Sequence, residues 1–172
     1  MAIDIQQSEQ EPFNTNLQNW WQELVAQIKH DAAKMNAGIS PRYGIGLPAM
    51  KGKIEINGRE SLPGWFELHI DKPPFPLRED KFNEPPISLT IRLDIDEKEF
   101  QVLRHRTRGP YAYGKGKNEN VESIAITSVS IIAHDERVRI LAESGLELKI
   151  ETLSEGILNA FLVYPTRCGV KP

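Results

Sequence analysis

The stretch with the strongest chemical character is Arg104-His105-Arg106-Thr107-Arg108-Gly109-Pro110-Tyr111-Ala112-Tyr113-Gly114-Lys115-Gly116-Lys117. It holds five of the chain's 21 Lys and Arg residues and none of its 24 Asp and Glu residues. A guanidinium binds a phosphate through two parallel N–H groups. Tyr111 and Tyr113 offer rings on which bases stack, and the glycines let a ligand approach the backbone closely. Arg104, His105, Arg106, Arg108, Tyr111, Tyr113, Lys115 and Lys117 therefore form a candidate contact for nucleic acid or another polyanion. The same composition also suits a long hairpin connection kept in water by its charge. The spacing is not that of a phosphate-cradling loop, since no Gly-x-x-x-x-Gly-Lys-Ser/Thr occurs.

A second pattern is Glu147-Leu148-Lys149, preceded by Asp135. On a strand, the i, i+2 spacing puts Glu147, Lys149 and Glu151 on one face. Two carboxylates there hold Mg²⁺ and the ammonium helps activate water, the arrangement of metal-dependent nucleases of the PD-(D/E)xK type. A solvent-facing strand shows the same alternation, and no proline precedes Asp135. A hydrolase using Asp135, Glu147 and Lys149 is thus an alternative reading with little to single it out.

The histidines, His30, His69, His105 and His134, have no paired ligand spacing. Neither a metal nor a cofactor is expected, and no catalytic residue is assigned. Cys168 is the only cysteine and sits between Pro165 and Pro172, without the rigid support a nucleophile needs. Pro73, Pro74, Pro76, Pro85 and Pro86 read as a stiff crossover held down by Phe75 and Phe82, although Pro73 to Arg78 also fits a polyproline ligand. Trp20 and Trp21 point about 100° apart on a helix. Trp21 belongs to the core stripe, while Trp20 at its margin is a candidate interface anchor.

The elements that must position these residues follow from periodicity. Residues 1–14 read as a disordered lead-in and 15–172 as one domain. Thr15 and Gln18 stand at capping-box spacing. Leu17, Trp21, Leu24, Ile28, Ala32 and Met35 then recur at helical spacing, predicting a helix over 15–37 that stops at Gly38. A Gly- and Pro-containing loop covers 38–52. Beyond it the period drops to two in a β-rich body over 53–165, with a tail at 166–172.

The clearest strand has Ile87, Leu89, Ile91, Leu93 and Ile95 on one face and Ser88, Thr90, Arg92 and Asp94 on the other. Asp96-Glu97-Lys98, His134-Asp135, Glu143-Ser144-Gly145 and Ser154-Glu155-Gly156 read as turns. A bulge near Thr127-Ser128 reconciles the phase of Ile124 and Ile126 with that of Val129 and Ile131. Leu146, Leu148 and Ile150 read as one strand and Leu158 to Tyr164 as another, with a short helix over 154–161 as the alternative. The expected fold is α+β and mainly antiparallel: about eight strands in a meander-type sandwich or barrel, with one amphipathic helix packed on it. Leu89, Ile91, Leu93, Ile124, Ile126, Leu148 and Ile150 should share one core with Trp21 and Leu24.

Composition bounds the rest. Hydrophobic residues make up 40% of 172, enough for a core, and the formal net charge of −3 provides no global attraction to nucleic acid or acidic lipid. With no apolar run of spanning length and one cysteine, the chain reads as cytoplasmic, with no membrane partner. The expected function is a non-enzymatic binding or assembly module, possibly a subunit of a larger complex. It would contact nucleic acid, another protein, or both through 104–117. A small-ligand carrier with an apolar barrel cavity is a further alternative.

Overall fold

The computed structural model describes residues 5–40, 44, 53–58, 65–72, 87–107, 119–134, 137–159 and 161. These form helix α1 (Ile5–Asn36), strands β1 (Glu55–Gly58), β2 (Trp65–Lys72), β3 (Ile87–Asp94), β4 (Glu99–Thr107), β5 (Glu119–His134) and β6 (Arg137–Ala142), and helix α2 (Ile150–Asn159). The strands make one antiparallel meander in chain order, a curled sheet resembling half a barrel. The α+β, antiparallel character is as expected from the alternation. Among the described residues there are six strands in one sheet, where eight in a sandwich or barrel were expected.

Helix α1 starts at Ile5, ten residues ahead of Thr15, so Thr15 lies inside it and does not cap it. Residues 5–14 are Gln- and Glu-rich, good helix formers with no apolar stripe to betray them. Pro12 lacks an N–H, so the helix passes it one backbone bond short. The stripe proper is buried throughout: Leu17, Trp21, Leu24, Ile28, Ala32 and Met35. Trp20 is only 8% exposed, so of its two readings, interface anchor or edge of a wide core face, it is the core one.

The stop is a Schellman motif. Gly38 N–H donates to Met35 O (2.9 Å) and Ile39 N–H to Lys34 O (2.9 Å), with Gly38 at φ 75°. Asn36 then ties the helix end to the sheet. Its Nδ2 donates to Ile54 O (3.0 Å), and its Oδ1 accepts from Ile54 N–H (2.8 Å).

The inner sheet face carries Phe66, Leu68, Ile70, Leu89, Ile91, Leu93, Phe100, Val102, Val129 and Ile140, which close on the α1 stripe and on Ile157, Leu158 and Phe161. Trp21 meets Phe66 with ring centroids 5.5 Å apart. The two helices are pinned by a buried bond: Ser154 Oγ donates to Asp31 Oδ2 (2.7 Å), while Gln27 Nε2 donates to Asp31 Oδ1 (3.0 Å).

Several strand expectations need correction, among them the turn at Ser154-Glu155-Gly156 and the strand from Leu158, since these residues up to Asn159 lie in α2, in line with the short-helix alternative. Ile126 is 53% exposed and pairs with Gln101 on the outer face, so it is not core. Thr127 and Val129 already share the inner phase; the irregularity lies where Val102/Leu103 face Ala125/Ser123, near Ile124 and not at Thr127-Ser128. At Ser128–Val129 the long strand β5 leaves β4 and pairs with β6. Further on, Leu146, Leu148 and Ile150 are not a strand. Residues 143–145 turn the chain with Gly145 at φ 81°, Glu147 makes one isolated bridge to Leu141, and α2 starts at Ile150. Leu148 and Ile150 still pack against the core, Ile150 from the first turn of α2.

No described helix is long and apolar enough to cross a membrane.

Candidate functional site

Alternation on β2 and β3 places Trp65, Glu67, His69 and Asp71 beside Asp94, Arg92, Thr90 and Ser88 on the outer face, each directly opposite its partner. The pairs are used. Ser88 Oγ donates to Asp71 Oδ1 (2.6 Å). Arg92 Nη2 and Nε reach Glu67 Oε2 at 3.0 and 3.3 Å, while the same guanidinium lies 4.2 Å from the Trp65 ring centroid. His69 Nε2 stands 2.7 Å from Glu67 Oε1. Thr90 Oγ1 lies between two imidazoles, 3.3 Å from His69 Nδ1 and 2.9 Å from His105 Nε2.

The Glu67 carboxylate sets the direction of this chain. It stands within hydrogen-bond reach of His69 Nε2, and the tautomer with its proton on Nε2 donates to it and leaves Nδ1 as an acceptor. In that tautomer the Thr90 hydroxyl donates to His69 Nδ1, which leaves its oxygen to accept from His105 Nε2 when that nitrogen carries the proton. A polarised chain therefore runs across three strands, His105 to Thr90 to His69 to Glu67.

Hydroxyl, imidazole and carboxylate in that order are the parts of a nucleophile, its base and the base's orienter. Here the hydroxyl is enclosed: Thr90 is 3% exposed, and a second imidazole occupies its oxygen. The arrangement as built is a clasp that fixes strand register.

Burial acts to raise the Glu67 pKa. Hydrogen bonds from His69 and Arg92, with the charge of Arg92 and that of His69 when its ring is protonated in acid, outweigh burial and hold it below the ordinary value. A depressed carboxyl contributes stability above its unfolded pKa, about 4.3 for Glu, and loses it as pH falls through the lower folded value. Glu67→Gln should thus be less stable than wild type near neutral pH. The gap should close as pH drops below about 4, measured by urea melts at several pH values. A gap that stays constant to pH 2 or widens in acid would remove the clasp's ionic character.

The basic stretch is split by the sheet. Arg104 stands opposite Leu89, in phase with the inner face, whereas His105 turns outward into the clasp. The ladder also sets acidic positions in register with this strand: Glu122 opposite Arg104 and Glu119 opposite Thr107. Arg106 is opposite Asn120. Arg108, Tyr111, Tyr113, Lys115 and Lys117 lie outside the described residues, as do Asp135, Cys168 and the proline-bearing segment 73–86.

The hydrolase constellation does not assemble as expected. Glu147 is in the isolated bridge with its carboxylate 3.9 Å from Arg139, Lys149 precedes α2, and Glu151 is in the helix, so the three do not share a strand face. Among the described residues, no three His, Cys, Asp or Glu side chains are grouped to hold a metal. The concave side of the sheet, where a carrier would hold its ligand, is filled by the apolar faces of α1 and α2.

Sequence reasoning passed over Glu67, His69, Thr90 and Arg92. The signal was present as a polar phase on two adjacent strands; what it lacked was the register that pairs them. No family model, no curated protein and no solved structure matches this chain.

Proposed function

We propose that this chain is a non-enzymatic, cytoplasmic binding or assembly module that presents the β4–β5 connection to a polyanion, with single-stranded nucleic acid as the fitting class. The observation that supports this reading is the pairing of Thr107 with Glu119 at the ladder end. Residues 108–118 thus join the ends of two paired strands, and binding residues are often carried by loops on rigid scaffolds. The clasp stiffens that root through His105. Three of the five bases, Tyr111 and Tyr113 fall on the connection itself. The acidic positions Glu119 and Glu122 at its base limit the field, so contacts should come from the connection more than from the strand.

The test is titration of labelled single-stranded RNA and DNA at two salt concentrations. Counterion release predicts a log–log slope of about −0.7 per phosphate contact, hence a limit near −3.5 if all five bases engage. Arg106→Ala should flatten the slope, and Tyr111→Ala should weaken binding by about 1–3 kcal/mol while leaving the slope alone. Reversal of Arg104, Arg106 and Arg108 to Glu should abolish binding. No binding at low salt, or binding indifferent to the reversal, would refute the polyanion reading and leave protein assembly as the module's role.

A further inference from the structure

We infer that the cleft between α1 and β6 is a second binding site, taking an extended peptide segment of a partner protein that carries an acidic side chain. The cleft measures about 430 Å³ and is lined by Asn16, Asn19, Trp20, Glu23, Arg137 and Val138. That volume falls in the roughly 300–1,000 Å³ range of ligand pockets. It shares no residue with the β4–β5 connection and stands whether or not that connection binds a polyanion.

The backbone of β6 carries the inference. Beyond the turn at 143–145, Leu148 N–H donates to Ile140 O and Ala142 N–H to Leu146 O, both at 2.8 Å. Ile140 and Ala142 therefore turn their backbone groups away from β5. Antiparallel strands alternate this direction residue by residue, so Val138, which also lines the cleft, turns its N–H and C=O away from β5. Residues 146–148 cover the edge back to Ile140 and no further. Among the described residues, nothing pairs with the edge at Arg137–Arg139. A peptide residue set opposite Val138 exchanges two backbone hydrogen bonds with it, the mode by which a strand is added to a sheet.

The walls suit such a guest. Asn16, Asn19 and Glu23 recur at i, i+3 and i+7 along one line of α1. Among the described residues, none of these three, nor Arg137, has a side-chain hydrogen-bond or ion-pair partner. Two amides offer both donors and acceptors to peptide groups, Glu23 accepts from N–H groups, and Arg137 takes a carboxylate in two parallel bonds. Trp20, almost fully buried, is a rigid floor. An apolar ligand would leave all four polar groups unmatched, and a polyanion would set more negative charge against Glu23 than the one guanidinium of Arg137 balances, whereas a single carboxylate matches it.

The probe is a blocked peptide, acetyl-Thr-Val-Glu-Val-Thr-Val-amide, titrated into the isotope-labelled full chain and followed by NMR at the Val138 amide and the Trp20 indole N–H. Both signals should move saturably. Arg137→Glu, a change at an exposed side chain, should keep the dispersed spectrum of the folded protein and weaken binding at least about tenfold, which is about 1.4 kcal/mol. The same peptide N-methylated at alternate residues should bind in at most one of its two methylation phases, because edge pairing uses the N–H groups of one side only. Absence of saturable change at Val138, equal affinity of the Arg137→Glu protein, or full binding by both methylated forms would overturn the site. Loss of binding in the Arg104, Arg106 and Arg108 reversal, with Arg137 intact, would also overturn it and assign the peptide to the β4–β5 connection.

Discussion

Ile91→Ala should lower the free energy of unfolding by about 2–5 kcal/mol, with the denaturant m-value unchanged. Ile91 is fully buried at the middle of β3, between Leu68 on β2 and Val102 on β4 and under the α1 stripe. Truncation removes the transfer free energy of three carbons and leaves a cavity that a sheet paired on both sides cannot collapse to fill. Its neighbour Arg92 is the control. Arg92→Ala removes a part-exposed ion pair with Glu67 and a stacking contact with Trp65, together worth about 1 kcal/mol. Urea melts of both variants decide the matter. Equal losses would mean that the two faces of β3 are assigned the wrong way round.

The second large effect is expected at Ser154. Its hydroxyl is fully buried and donates to Asp31 Oδ2 across the two helices, while Gln27 holds the other oxygen. Ser154→Ala leaves a buried carboxylate oxygen without its donor. The cost should be about 1–3 kcal/mol, far above that of an ordinary Ser→Ala on a helix. Ser154→Thr, which keeps the hydroxyl, tests whether the bond or the added volume matters. In a double-mutant cycle with Asp31→Ala the two changes should be strongly non-additive, because each removes the same bond. Additive losses would show that Ser154 contributes through packing alone.

What could be read from the residues follows the strength of each local pattern. The α1 stripe and the alternation of β3 were legible because one face is wholly apolar and the other wholly polar, and Leu89, Ile91 and Leu93 are indeed fully buried. The turn at 143–145 was legible through Gly145. The first turns of α1 were not, since Gln and Glu form helix as readily as they solvate a coil. Ile126 misled because an isoleucine on a strand is ordinarily core, and only the pairing with Gln101 shows that it faces outward. Leu146, Leu148 and Ile150 satisfy a strand period over too short a window to exclude a helix; the docking of α2 on α1 decides it. For the candidate site, the base-rich composition of 104–117 was plain. That Arg104 and His105 serve opposite sheet faces, with Glu122 and Glu119 in register nearby, emerges only from long-range pairing.

The bond between Asp31 and Ser154 joins residues 123 apart in the chain. A ribosome adding about 5–20 residues per second delivers α1 some 6–25 seconds before α2 exists. Through that interval the stripe from Leu17 to Met35, with two indoles in it, has at first no sheet and then only part of one to lie against. The order of synthesis therefore places the longer helix, with its stripe uncovered, in the open before the helix that packs on it. In the cell the nascent chain is a natural client for whatever holds hydrophobic segments apart until translation ends.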